Sequence, residues 1–439
     1  MSLLGALNSA ISGLTAQSSA FSNISDNVAN SQTVGFKRVD TTFVDYLTTS
    51  SETANEPGAV VARPDYANTV QGIITQTGNP LDMAIAGQGF FAVSEPAGST
   101  NGTISFSPQP YYTRAGDFQV NKTGYLVNSA GLYLNGWQVN PTTGIANQNT
   151  LAPIQVSQTV FNPVATSSVE LVANLPATPT AGTATIASPI SSDINVYDAL
   201  GTAHAVTLNW VQNAPNDWTV SIKAATLTPS ALGSAQVTFG ATSGNPVSAG
   251  TIGQIAAITG GVAAAGYAAG QPADLTFTAD FGSGAQTIDL SMGTYGQTSG
   301  VTQYAGSTYS LGGLTQNGVP PGSFSGVVTQ ADGSVIVNYN NGQSRTIAQV
   351  PITTFNSPDK LQRQSGQAFT ATLESGNPIA ELANTNGAGN IVISSTEGSN
   401  VDIAKEFSQL IVAQQAYAAN AKMVTTANQL LTTTLDMKQ

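Results

Sequence analysis

Apolar positions at the two ends of the chain recur with helical spacing, while those between recur at every second residue. The first 30 residues, MSLLGALNSAISGLTAQSSAFSNISDNVAN, contain no proline. Leu4, Leu7, Ile11, Leu14, Phe21 and Val28 fall on steps of three and four, with the small polar Ser18 and Ser25 filling the gaps. That heptad spacing predicts a helix with a coiled-coil-like edge, and Ser2 is placed to cap its start. The last 40 residues repeat the pattern. Ser399 or Asn400 is placed to cap a second helix, and Asp402 falls in its first turn, where the helix dipole favours a carboxylate. Its seam runs Ile403, Phe407, Leu410, Gln414, Tyr417, Ala421, Val424, Asn428, Leu431 and Leu435. At about 1.5 Å per residue this helix is about 50 Å long. Neither helix buries its seam alone. The ends either clasp each other within one chain or pack against copies of themselves. The N-terminal helix is almost uncharged on every face, which points to burial on more than one side. Seams on different faces of a helix pair propagate a lattice, and open heterologous contacts make tubes or fibres.

Between the helices the period changes to two. Residues 118–134, FQVNKTGYLVNSAGLYL, hold a near-repeat with turns at Lys122-Thr123-Gly124 and Ser129-Ala130-Gly131, which predicts a β-meander. A second β region spans about 165–300. In it Ile194 and Val196, then Val206, Leu208 and Trp210, then Trp218, Val220 and Ile222 alternate between turn signals. Residues 224–272 are rich in Ala, Gly, Ser and Thr and show little pattern. A third β region covers about 305–395, with hairpin signals at Asp332-Gly333 and Asn341-Gly342 around SVIVNY.

The expected fold is α+β, mainly β: long, paired terminal helices with two β-rich domains between them, one inserted in the other. The expected division is terminal helical segments of 1–30 and 396–439, a β domain of 73–165 and 300–395, and a second β domain of 166–299 inserted in it.

Composition narrows the chemistry. Charged residues are only 8% of the 439, against about 25% in an ordinary soluble domain. The surface is therefore built from Ser, Thr, Asn and Gln, with 44 glycines cutting the turns. Such a surface repels its own copies weakly. The net charge of −12 lacks the cationic stripe that phosphate recognition needs, so no nucleic acid is expected. No cysteine is present, which excludes a disulfide framework, a thiolate metal site and a cysteine nucleophile. The one histidine, His204, reads as a structural residue on a strand. No nucleotide loop, calcium loop or Gly-x-Ser-x-Gly occurs, so no catalytic residue, metal site or cofactor is expected. No window has the roughly 20 apolar residues of a membrane helix, and no membrane insertion is expected. The first basic residue is Lys37, too late for the basic start of a cleavable signal peptide.

Both ends resemble the rod–hook family of flagellar axial proteins. The N-terminal resemblance lies in residues 7–37, around Asn27-Val28-Ala29-Asn30 and Thr33-Val34-Gly35-Phe36-Lys37. The C-terminal one lies in residues 397–431, around Glu397-Gly398-Ser399-Asn400-Val401-Asp402, Gln414-Gln415-Ala416-Tyr417 and Asn420-Ala421-Lys422. LDMAIAGQGFFAV at 81–93 and YTRAGDFQVNKTGYLVNSAGLYLNGW at 112–137 also fit. Within the family, DINVYDALGTAHAVTLNW looks like the outer domain of the hook members, which the rod members lack. The resemblance implies a non-enzymatic subunit that self-assembles into a flexible curved tube, a universal joint carrying motor torque from rod to filament. It implies that 1–30 and 396–439 form a helical polymerisation domain lining a central channel, that 31–72 is a linker region, that 73–165 and 300–395 are the inner β domain, and that the inserted outer domain of 166–299 is most exposed. The implied partners are further copies of the chain, the flagellar rod, the hook cap and hook–filament junction proteins, and the flagellar type III export apparatus. The implied location is extracellular, in the flagellum. The alternatives are a distal rod protein or, in another class, a secreted β-rich adhesin.

Overall fold

The computed structural model describes residues 3–50, 55–100, 103–141, 143–157, 159–178, 184–185 and 188–436. The first helix, α1, is Leu3–Ala29, and the last, α2, is Ile403–Asp436. They run antiparallel against each other. The Phe21 and Tyr417 rings meet edge to face at 6.2 Å. A Cβ on Gly13 would come within 2.9 Å of the Asn420 side chain, and Asn27 bonds Glu406. The start of α2 differs from the expected cap. Asp402 caps it, its Oδ1 accepting the amides of Ala404 at 3.0 Å and Lys405 at 3.2 Å. Asn400 is engaged elsewhere, taking the Arg38 amide at 2.7 Å.

Segment 31–72, expected as a linker, contains a long antiparallel hairpin of β1, Val39–Ser50, and β2, Asn55–Tyr66. Its β-branched and aromatic residues favour an extended chain. Two hydroxyl contacts dock it on α1: Ser12 Oγ accepts the Val60 amide at 3.1 Å, and Asn23 Nδ2 donates to Thr41 Oγ1 at 2.8 Å.

The chain divides into two compact units. The first holds residues 1–158, 325–338 and 344–439, so both helices, the hairpin and the inner β strands belong to it. Its sheet is centred on Phe90–Ser94, which pairs with Tyr111–Thr113, Tyr133–Val139 and Ile352–Thr354. Phe90, Tyr112, Phe355 and Phe369 pack as an edge-to-face aromatic cluster on it. The turns fall where glycine marks them: Gly124, Gly131 and Gly333 adopt φ of +85°, +81° and +87°.

The second unit holds 159–324 and 339–343. It is a β-sandwich. One layer is five antiparallel strands running in order from Ile190–Tyr197 to Ile252–Gly260. The other is built on Ser168–Asn174, Pro272–Asp280 and Ala285–Thr294. Trp210, Trp218, Val220 and Ile222 of the first layer share a core with Leu171, Phe277 and Leu290 of the second. The unit extends past the expected limit of 299 because Ser310–Gln316 pairs antiparallel with Ser168–Asn174. The weakly patterned stretch 224–272 contributes strands Ala231–Phe239 and Ile252–Gly260, whose alternate residues Ala235, Val237 and Phe239 face the core. His204 bonds Asp198 Oδ2 at 3.1 Å and stacks on Phe281 at 4.2 Å, and Asp198 also accepts the amides of Leu200 and Thr202. The pair closes a turn.

Candidate functional site

Glu397 is fully buried and draws three distant segments together. Its Oε1 accepts Lys37 Nζ at 2.6 Å and the Gly72 amide at 2.8 Å, and its Oε2 accepts Arg114 Nη1 at 3.0 Å. Lys37 also donates to the Val70 carbonyl at 2.7 Å, and Arg114 to the carbonyls of Ile85 and Gly87. Two buried cations therefore face one buried anion. Burial pulls the Lys37 ammonium down to about 8, against the opposing pull of Glu397.

The residues around this ion cluster are those of the N-terminal motif. Gly35 adopts φ +70°, and a Cβ there would lie 2.3 Å from the Ala115 amide nitrogen. Its own amide donates to the Glu397 carbonyl at 2.8 Å. Only glycine permits that crossing. Phe36 is fully buried, with the Arg363 guanidinium 4.3 Å above its ring. Asn30 closes the last turn of α1 by donating to the Asp26 backbone and side chain at 2.9 Å. Asn27 is the second hub. Its side-chain amide pairs with the Val39 backbone in both directions at 2.9 Å, and it donates to Glu406 Oε2 at 3.2 Å. Glu406 is fully buried at the start of α2, and its Oε1 has no hydrogen-bond partner. Burial pushes its carboxyl up, which the Asn27 bond only partly opposes.

On α2 the residues facing α1 are Glu406, Leu410, Ala413, Tyr417, Asn420, Val424, Ala427 and Leu431, buried or half-buried at steps of three and four apart from the partly exposed Tyr417. Leu410, Tyr417, Val424 and Leu431 thus line the contact. Ile403 and Phe407 turn outward, 44% and 52% exposed. On α1 the deepest positions are Ala10, Ala16, Ala20, Ile24 and Asn27. Leu7, Leu14, Phe21 and Val28 are half-buried beside them, and Ile11 is 46% exposed. The side chains of Leu4 and Leu435, and Ser2 as a cap, lie outside the described residues. Exposed apolar side chains therefore remain on both helices after they have met: Ile11, Ile403, Phe407, Ile411, Val412 and Met423.

Glu397 stands in the C-terminal motif with no role readable from sequence, and Arg114 and Glu406 carry no signal of their own there. The available signal was their rarity: a chain with 8% charge sets these charges inside apolar or glycine-rich motifs. Among the described residues no cluster of metal-ligating side chains occurs, and no helix is long and apolar enough to cross a membrane.

Four family models cover most of the chain. Residues 7–37 match "Flagella basal body rod protein" and 84–167 match "Flagellar hook protein FlgE/F/G D1 domain". Residues 165–319 match "Flagellar basal body protein FlaE D2 domain", and 394–437 match "Flagellar basal body rod FlgEFG protein C-terminal". The chain is 31% identical over 439 residues to the flagellar hook protein of Brucella abortus biovar 1, with the full length of both covered. It is 29% identical over 449 residues to that of Rhizobium meliloti, again over both full lengths. To that of Escherichia coli K12 it is 27% identical, over 99% of this chain and 100% of the relative. The crystal structure of the Helicobacter pylori flagellar hook protein FlgE2 is similar with a TM-score of 0.46 and 13% identity, over 72% of this chain and 98% of that one.

Proposed function

Because this chain belongs to the family of flagellar hook proteins and is a structural subunit of the hook, we propose that it polymerises with its own copies through α1 and α2. One observation carries this reading. After the two helices have met, large apolar side chains still face outward among the described residues, Ile11 on α1 and Ile403, Phe407, Ile411, Val412 and Met423 along α2, and nothing in an isolated chain covers them. The heptad rows Leu4, Leu7, Ile11, Leu14, Phe21, Val28 and Ile403, Phe407, Leu410, Tyr417, Val424, Leu431, Leu435 are the polymerisation seams of this reading. Some of their members hold the pair together, and the outward ones hold neighbours.

The motif residues Asn27, Asn30, Gly35, Phe36 and Lys37 serve as the joint that transmits force between the helices and the β strands of their own unit. The cluster supports that role because it ties α1, the hairpin and the lead into α2 by charge-assisted bonds in a buried site. The β units, weakly charged and glycine-rich, shift against neighbours without breaking specific ion pairs. The assembled tube then bends on every rotation while carrying torque from rod to filament. The subunit leaves the cell unfolded by the flagellar type III route. It meets the rod, the hook cap and the hook–filament junction proteins outside.

Met423→Asp tests the reading. Met423 is 55% exposed, so the fold tolerates the change. The expected result is loss of polymer by electron microscopy with an unchanged circular dichroism spectrum. Polymers of normal length and number would refute polymerisation through the helices.

A further inference from the structure

The outward apolar row of α2 and a groove on the opposite side of the same helix are shaped as partners. The row is Ile403, Phe407 and Ile411, which are 44%, 52% and 54% exposed. No charged residue lies on this face up to Ala418, because the row continues through Gln414. The groove is a mostly apolar cavity of about 340 Å³. Its walls include Ala20 and Ile24 of α1, Val39 and Phe43 of β1, and Val412 of α2, with Gln17, Asp40 and Thr41 as polar members. Phe43 and Val412 expose 47% and 65% of their surface there.

We propose that Phe407 and Ile411 of one copy seat in this groove of the next copy. The inference rests on the polymerisation reading above and names the contact. Three features favour a second copy as the occupant. The first is size. An apolar cavity of about 150 Å³ takes one benzene ring, so a groove of this volume takes two side chains of that size. The second is direction. At about 100° per residue, Ser408, Gln409, Val412 and Ala413, the α2 residues of the groove, centre about 170° around the helix from Phe407. Knob and hole thus point nearly opposite ways, which makes the contact heterologous and leaves each new copy with a free row and a free groove. The third is offset. The seated pair Phe407 and Ile411 centres on residue 409 and the α2 wall of the groove between 410 and 411. Each added copy therefore steps by about 2 Å along the helix axis. A stepped heterologous contact builds a helical array, not a closed pair.

The chain has no native cysteine, so two introduced thiols report the contact without interference. Full-length chains carrying Ile411→Cys and Gln17→Cys are mixed in equal amounts, polymerised and oxidised. The expected product is a 17–411 cross-link between chains, identified by peptide mass spectrometry, since a disulfide requires Cα atoms about 5.5 Å apart. A second variant, Phe407→Ser/Ile411→Ser, is expected to raise the critical concentration for polymerisation at least about tenfold. Its circular dichroism should match that of the unaltered chain. Polymers with no 17–411 cross-link, or with 411–411 cross-links only, would overturn the proposal and assign the row to another occupant or to a back-to-back contact. If the unaltered chain forms no polymer, the functional reading itself fails and this contact with it.

Discussion

Replacing Glu397 with Gln removes the one anion that faces Lys37 and Arg114 without changing the size of the side chain. Both cations and the carboxylate are almost completely shielded from water, with side-chain exposures of 1%, 2% and 0%. Breaking a buried pair from one side costs about 3–5 kcal/mol, because a charge is left without compensation. Lys37 has an escape. Its ammonium is already down to about 8, and losing Glu397 removes the largest pull that opposes burial, which favours the neutral amine further. Arg114 has none, since a guanidinium does not deprotonate in a protein. Its remaining partners are the Ile85 and Gly87 carbonyls. The expected loss is therefore about 4 kcal/mol, with Arg114 the larger part. At about 2–4 °C per kcal/mol for a unit of this kind, the melting transition falls by about 8–16 °C. Differential scanning calorimetry of the full chain reads this directly. The transition of the 159–324 unit, followed through its buried Trp210 and Trp218, serves as the internal control. Adding Arg114→Met to the Gln variant should recover a good part of the loss. A drop under about 2 °C, or an equal drop in both units, would mean that the ion cluster does not hold this unit together.

Glu406→Gln should act in the opposite direction. Its folded carboxyl is raised, so the stability it lends is fully present below the ordinary carboxylate range and is lost as pH rises through the folded value. Thermal melts should therefore show the Gln variant more stable than the parent at pH 7, with the gap closing near pH 4; no gap at pH 7 would count against a buried, strained charge. Gly35→Ala should cost about 3 kcal/mol in chemical denaturation, from the left-handed φ and the close Ala115 backbone, and a neutral result would show that the strands part easily. Trp218→Ala should cost about 3–5 kcal/mol, confined to the sandwich transition, and a shift in the other transition instead would contradict the separate core.

Helix positions were legible because a period of 3.5 survives in any apolar row, whichever partner covers it. The sorting of rows was not. Phe407 and Ile403 read as seam residues by size, whereas the face that meets α1 alternates Leu410, Tyr417, Val424 and Leu431 with Glu406, Ala413, Asn420 and Ala427. Small and polar residues at a contact carry no hydrophobic signal, and only packing shows that Gly13 lies against Asn420. The β1–β2 hairpin falls in the segment that the resemblance marks as a linker, and the 51–54 region offers no two-residue glycine turn to signal it. The Lys37–Glu397 pair spans 360 positions, and ion pairs at that separation have no periodicity to read. Strands in 231–260 carry a weak signal because Gly233 and Ala235 stand where larger residues would extend the alternation of Val237 and Phe239.

The small side chains between the helices also set how the pair carries load. Where the seam is built on Gly13, Ala20, Ala413 and Ala427 its relief is shallow, so ridges and grooves resist sliding weakly. A polar residue is what fixes register in such a pair, and here it is the Asn27–Glu406 bond, at the end nearest the ion cluster. Beyond the Phe21–Tyr417 contact the seam alternates the small or polar Gly13, Asn420 and Ala427 with Val424 and Leu431. Mechanically the helix pair is a cantilever, clamped at its root and compliant in shear toward its tip. Strain applied along the axis is therefore taken up as slip between two smooth rods, while the clamp keeps each subunit's ends in step.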